Sequence, residues 1–405
     1  MLAFIAFVIK IMIAFNTFGS NDVATFYIFA RSLSEHGLAW MYHNGVVFAP
    51  GSPLFNHPPL TAYYLRLIDG LAHQQGFRDC GLTFPFLLRL PGIIADFVTV
   101  LFVLRISTSD ERFRIPIWAL ALLAISPVSI MISGFHGNTD SVMVMFLVLA
   151  SFACLRNRPL LCGLLLALSS QVKIVPLLFF PIFFLFWFSR RKTLLFFVPF
   201  AVAFLTLSWE PVFTFPILFI KNVLSYGSFW GIWGLTYWLR MTGYPELGVV
   251  NFYNLPPWES FIITLLKGLI VGAVLVIAWR RRKLDGYGLV RSIAYAWIIF
   301  FVFSPGVSAQ YMVWLAPFIL VLSPTFYAYL VASSSLFLFF FYNITAGGLP
   351  WYLSVSRQNL NTLWTPWSLW PWAVLLLGLV YLWKRAVATD PSLRLCSLET
   401  LREQL

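Results

Sequence analysis

The chain has 405 residues, of which 60% are hydrophobic and only 10% charged, with 42 Phe and 17 Trp, whereas an ordinary soluble domain carries about 25% charged residues. Apolar runs long enough for a hydrocarbon core of about 30 Å recur along its whole length, and none of the stretches between them has room for a separate soluble catalytic domain of typical size. The net charge of +12 sits in short tufts between the runs, the pattern of the positive-inside rule and not of a nucleic-acid patch.

Taken in chain order, spans are expected at 1 to 18, 84 to 104, 115 to 133, 140 to 155, 159 to 172, 174 to 188, 193 to 209, 261 to 279, 287 to 303, 311 to 323, 325 to 344 and 366 to 383. The fold class is therefore all-α: a polytopic transmembrane helical bundle of about twelve spans. It forms one integral-membrane domain over 1 to 385, richest in motifs over 1 to 190, followed by a short cytoplasmic tail at 386 to 405. Lys10 interrupts the first run and no small-residue cleavage site follows it, so a retained span is expected there and not a signal peptide. Pro176, Pro181 and Pro317 are placed to break or tilt their helices.

The tufts Arg112 and Arg114, Arg156 and Arg158, Arg190-Arg191-Lys192, Arg280 to Lys283 and Lys384-Arg385 each follow an even-numbered span. Both termini are then cytoplasmic. The long aromatic loops at 19 to 83, 210 to 260 and 345 to 365 lie outside, which makes the external or periplasmic side of a cell membrane the working face. Two stretches of the first loop, Val23 to Leu33 and Leu60 to Leu71, carry helical apolar spacing. They are expected to lie flat among membrane lipid headgroups with Arg31, Glu35, Arg66 and Asp69 turned to water. Pro50, Gly51, Pro53, Pro58 and Pro59 forbid regular helix between them.

Charge is so scarce that each polar cluster asks for an explanation. Asp22, in TFGSNDVATFY, follows the first span. It can cap the interfacial helix through free backbone N–H groups, and a carboxylate at a membrane lip can also act as a general base on a bound hydroxyl. SGFHGNTDS, Ser133 to Ser141, makes a turn in which Asn138 or Asp140 can cap the next span, and it piles His136, Asn138, Thr139 and Asp140 at a bilayer boundary. Lys173 falls on the outer side against the charge bias; it can snorkel, or it can meet an anion such as a phosphate. Arg89 and Asp96, seven residues apart, share a face as a structural pair or a cavity lining. His57 precedes two prolines, and Gln310 and Tyr311 stand at another helix entrance, where loop hydrogen bonding and belt aromatics are the bland alternatives. No HExxH, CxxC pair, Walker loop or dinucleotide turn is present, so no metal site and no cofactor are implied. Cys80, Cys154, Cys162 and Cys396 form no disulfide framework.

In order and sidedness these residues resemble the GT-C glycosyltransferases, which move a sugar from a polyprenyl-phosphate carrier to an acceptor. The likeness runs from Phe15 to Pro181 through Asn21-Asp22, the long first loop, His57-Pro-Pro59, Gly134 to Asp140 and Lys173-Ile-Val-Pro176, with a shorter echo at Ser304 to Tyr311. It is strongest toward glycosyltransferase family 87 and the first mannosyltransferase of glycolipid-anchor synthesis. The resemblance implies that Asp22 deprotonates the acceptor hydroxyl and that the anomeric centre inverts. It implies a hexose, mannose above others, carried by a polyprenyl phosphate to a lipid, glycan or protein acceptor. An external site cannot reach cytoplasmic nucleotide sugars, which agrees with the missing nucleotide-sugar domain. Lys173 is the first choice to steady the leaving phosphate, followed by His57, Gln310 and Arg240; Asn21, His136, Asn138, Asp140 and Tyr311 would complete the substrate pocket. The chain departs from several relatives in having Ser308-Ala309-Gln310 where they have a histidine. A transporter or lipid flippase is the competing class, opposed by the lack of an internal repeat and by the one-sided loops, and a non-catalytic assembly partner is a third.

Overall fold

The computed structural model describes residues 1–45, 55–224, 231–243, 257–345 and 365–389, and every element in them is helical. Helix α1 (Leu2–Asn16) stops because Thr17 turns extended and Gly19 takes a φ of +101°, a region open to glycine at little cost. A Cβ at Gly19 would lie 2.8 Å from the Phe135 carbonyl oxygen. Helix α2 (Asn21–Asn44) then leaves at 66° to α1. Its N-cap is Ser20, whose hydroxyl accepts from the Asp22 backbone N–H at 3.2 Å. The expected cap role of Asp22 thus belongs to Ser20, and the carboxylate is left for other partners.

Helix α3 (Pro59–His73) begins on the prolines and packs against α2. Glu35 and Arg66 are exposed as expected. Asp69 is not: it is buried, with Arg31 at 3.8 Å and His73 at 3.5 Å, because the α2–α3 contact closes over it and burial of a carboxylate is tolerated only beside cationic or donor groups. Pro50, Gly51 and Pro53 lie outside the described residues, as does the tail from 390 on, with Cys396.

Helix α4 (Phe84–Ser109) is 26 residues long, and Ile117–His136 forms a second span that starts as α5 (Ile117–Ala124) and ends in a π-helical turn, Ile130–His136. Then follow α6 (Asp140–Leu155), α7 (Pro159–Val172), α8 (Phe180–Phe188), α9 (Thr193–Leu207), α10 (Gly234–Gly243), α11 (Pro257–Arg281), α12 (Gly286–Phe303), α13 (Ala316–Leu322), α14 (Pro324–Thr345) and α15 (Leu369–Thr389). Pro176, Pro181 and Pro317 sit in first turns, where the missing N–H costs nothing.

The protein is a multi-pass helical membrane protein. Among the described residues six helices are long and apolar enough to cross a bilayer, or seven if the bent pair α1–α2 counts as one span. Each of the twelve expected stretches contains helix, but several are short: α7 has 14 residues, about 21 Å at 1.5 Å per residue, less than a hydrocarbon core of about 30 Å.

Arg89 and Asp96 do not pair with each other. Asp96 accepts from Lys10 at 3.0 Å and from Ser129 at 2.7 Å, and also from Ser133, tying α1 to α4 and the π-helical turn. Arg89 is fully buried and donates to the carbonyls of Ala14 at 2.8 Å and of Gly134 and Phe135 at 3.2 Å each, to Thr17 Oγ1 at 2.7 Å and to Pro85 O at 2.8 Å. It seals the end of α1 onto the end of the π-helical turn. Cys154 and Cys162 are free thiols 3.3 Å apart.

Replacing Arg89 by Met should destabilise the fold by about 3 kcal/mol or more, since several buried carbonyls lose a charged donor at once; the midpoint of thermal unfolding in detergent measures it, and an unchanged midpoint would refute this role.

Candidate functional site

The clamp of Arg89 brings two separate pieces of sequence together, the head of α2 and the turn before α6. Ser20 adds to it: its N–H and hydroxyl both donate to the His136 carbonyl, at 3.3 and 2.6 Å. Gly137 follows with a φ of +82°, and a Cβ there would lie 2.4 Å from Val23 Cγ2. Only glycine allows the loop to pass this close to α2.

The outcome is a ring of donors around Asp22. His136 Nε2 lies 3.0 Å from Asp22 Oδ2, Asn138 Nδ2 donates to the same oxygen at 2.7 Å, and Gln310 Nε2, from the 3-10 turn Ala309–Val313, donates to it at 3.2 Å. Among the described residues no side chain hydrogen-bonds Oδ1. The Asp22 side chain keeps 34% of its exposure while His136 keeps 4%, so the carboxylate faces an opening from a buried base of donors. Burial pushes this carboxyl's pKa up, but His136 beside it, the charge of Lys173 and the hydrogen bond of Asn138 together bring it below the ordinary carboxylate value. Asp22 is therefore ionised at neutral pH.

A second carboxylate lies deeper. Asp140, the first residue of α6, is fully buried and accepts from Lys173 Nζ at 2.7 Å and from the Trp314 indole. Lys173 caps the end of α7, with Nζ 5.2 Å from the Tyr311 ring centroid and 5.4 Å from that of Trp314, and these two rings stack at 3.9 Å. It does not snorkel. Asp140 Oδ2 has no hydrogen-bond partner among the described residues, an orphaned acceptor of the kind that water or a ligand hydroxyl completes.

His57 is buried among Phe26, Phe29 and Phe55, with its carbonyl accepting from Tyr42 Oη at 2.6 Å. Its pKa is pushed down to about 3, by burial first and then by the charge of Lys173, against a smaller pull from Asp22. It is a neutral donor or acceptor and not a cation. Asn21 opens α2 beside Asp22 and makes no side-chain hydrogen bond among the described residues. Arg240 lies in α10, but its side chain is outside the described residues.

Two participants have roles that the sequence does not signal. Arg89 reads there as a structural pair with Asp96 or as a cavity lining. Tyr342, on α14, approaches His136 Nδ1 at 2.9 Å yet stands in FFFYNIT, where any tyrosine passes for a belt aromatic. An apolar cavity of about 180 Å³ adjoins the cluster, with Asn138 and Thr139 at one wall and Tyr64, Pro91, Gly92 and Phe146 among the others.

A multi-pass helical bundle with one ionised carboxylate held among donors at a helix break defines a membrane protein with a polar site at the edge of its apolar body. The sequence description of glycosyltransferase family 87 matches residues 85–305, more than half of the chain, and the protein belongs to that family. It is a membrane glycosyltransferase, acting between a sugar donor and an acceptor. The match spans Arg89, His136, Asn138, Asp140 and Lys173 and leaves Asp22, Gln310 and Tyr342 outside it. No curated protein matches the chain.

Lys173→Met or Asp140→Asn alone should cost about 3 to 5 kcal/mol, because each strands a buried partner, while the double change should cost clearly less than the sum; unfolding midpoints of the three variants decide it. His57 gives a pH signature. Below about pH 6.5 the unfolded chain binds a proton at this histidine that the folded chain refuses until about pH 3, so stability must fall as pH falls through that window. His57→Gln should flatten this slope in melts taken from pH 7 to pH 4, and an unaltered slope would count against the buried neutral ring.

Proposed function

We propose that the protein transfers a hexose, mannose being favoured, from a polyprenyl-phosphate carrier to a hydroxyl of a lipid, glycan or protein acceptor, with inversion, and that Asp22 is the general base. The observation that carries this reading is the convergence of three N–H donors on Asp22 Oδ2, which leaves Oδ1 for an incoming hydroxyl at the open edge of the site. The acceptor O–H proton passes to Oδ1 as the acceptor oxygen bonds to the anomeric carbon. The bond from that carbon to the phosphate oxygen breaks, and its electron pair leaves with the polyprenyl phosphate.

Holding Asp22 from one side fixes the direction of its free lone pairs, and orientation of this kind supplies much of the effect of a general base. A carboxyl held below its ordinary value is a modest base, but it is always in the ionised form when substrate arrives. Lys173 is the cation we assign to the departing phosphate, on the ground that its charge is felt at both Asp22 and His57. Being paired with Asp140, it acts through its field and not as a loose ammonium. His57, neutral, and Arg240 are the further candidate donors to the phosphate. Asp140 Oδ2, Asn138, Asn21 and Tyr311 are assigned to sugar hydroxyls. The site is read as facing the external or periplasmic side of the cell membrane, with both termini cytoplasmic, which agrees with the basic tufts.

Incubating purified protein with a small panel of polyprenyl-phosphate sugars and an extract of lipids and glycans should consume one donor and form a new glycosidic bond. Asp22→Asn should lower that rate by about 10²- to 10⁴-fold with an unchanged melting midpoint. The base assignment fails if the variant stays active, and substrate crossing sealed vesicles without any new glycosidic bond would favour the transporter reading. Since the Asp22 pKa is depressed, its protonation should limit the rate only below the ordinary carboxylate range; rate profiles down to pH 4 test this.

A further inference from the structure

Asp22 is ionised and can only accept, so the ring nitrogen that faces it, His136 Nε2, must carry a hydrogen. The other ring nitrogen, Nδ1, meets the Tyr342 hydroxyl at 2.9 Å. Both residues are buried, and the Tyr342 ring also packs edge-on against Phe135 at 5.3 Å, so α14 holds the phenol in place. The titratable or charged groups that face the imidazole are Asp22 from α2, Tyr342 from α14 and Asp140 from α6, with Lys173 beyond Asp140 and Arg89 under the backbone of Gly134 and Phe135.

We propose that Tyr342 is a positioning residue for the transfer reaction: its hydroxyl donates to His136 Nδ1 and so places the ring proton on Nε2, toward Asp22 Oδ2. The inference rests on the reading of Asp22 as the base and gives it support from α14. Without the phenol the neutral ring can adopt the other tautomer, with a bare Nε2 lone pair against the carboxylate. Asp22 would then turn away from the donors that leave Oδ1 aimed at the acceptor. A misplaced imidazole proton is among the costlier small errors a site can carry.

Tyr342→Phe keeps the ring packed against Phe135 and removes only the hydroxyl. With polyprenyl-phosphate mannose as the donor probe, kcat should fall about tenfold or more and KM should stay within about twofold. In a His136→Gln background the same change should do nothing further. Nitrogen-15 NMR of histidine-labelled protein needs no donor: His136, assigned by its loss in His136→Gln, should be protonated at Nε2 and bare at Nδ1, and Tyr342→Phe should mix the tautomers. A His136 resonance with the proton on Nδ1, a spectrum unmoved by Tyr342→Phe, or a kcat unchanged by that substitution would each overturn the proposal. If Asp22→Asn is inactive while Tyr342→Phe is normal by both measures, this inference alone falls; if Asp22→Asn is active, the reading beneath it falls whatever the spectrum shows.

Discussion

A buried guanidinium between α1 and the π-helical turn is the contact on which the site is assembled, because no apolar packing could seal those two helix ends. Where α1 stops at Thr17 and the turn stops at His136, carbonyl oxygens are left without helical partners. In an apolar interior each orphan costs free energy comparable to a lost hydrogen bond. Arg89 answers Ala14, Thr17, Gly134 and Phe135 with one planar group, and its fixed fork makes their mutual geometry rigid as well as satisfied. Everything that later touches Asp22 hangs from those two ends.

The two carboxylates of the site are separated by environment. Asp140 is enclosed, neutralised by Lys173 and bonded to Trp314; Asp22 stands at an opening, held by uncharged amide donors and one imidazole. Pairs of acids that differ in this way commonly divide structural and chemical labour. The ammonium of Lys173 works on both, through contact with one and through its field on the other. The aromatic shelf of Tyr311 and Trp314 under Lys173 keeps water from diluting that field.

Much of this was legible in the residues. Scarce charge made Asp22, His136, Asn138, Asp140, Lys173 and Gln310 conspicuous, and the structure gathers all six into two adjoining carboxylate clusters. The cap of α2 went instead to Ser20, because the shorter hydroxyl side chain reaches the first free N–H while also bonding His136 O. Asp69 was expected in water and is buried, since helical periodicity gives a face but not the neighbour that covers it. Arg89 and Asp96 share a face of α4 as their spacing implies, yet each is bonded to a different neighbour. Of the twelve spans expected from apolar runs, six described helices are long and apolar enough to cross a bilayer, or seven with the bent pair, since a run of 14 residues can be helix without the length to reach across.

Composition and periodicity therefore determined that this chain is an all-helical membrane protein, where its helices begin and which rare polar residues had to be accounted for, since burial of apolar surface and the cost of bare backbone in lipid act locally along the sequence. Only the tertiary structure decided which oxygen of Asp22 is held and which is open, that His57 is neutral, and that Tyr342 from the other end of the chain meets His136. Those outcomes depend on the bend at Gly19 and on the reach of Arg89 across three elements, and distances between residues more than 200 positions apart are set by packing, of which a linear pattern holds no record.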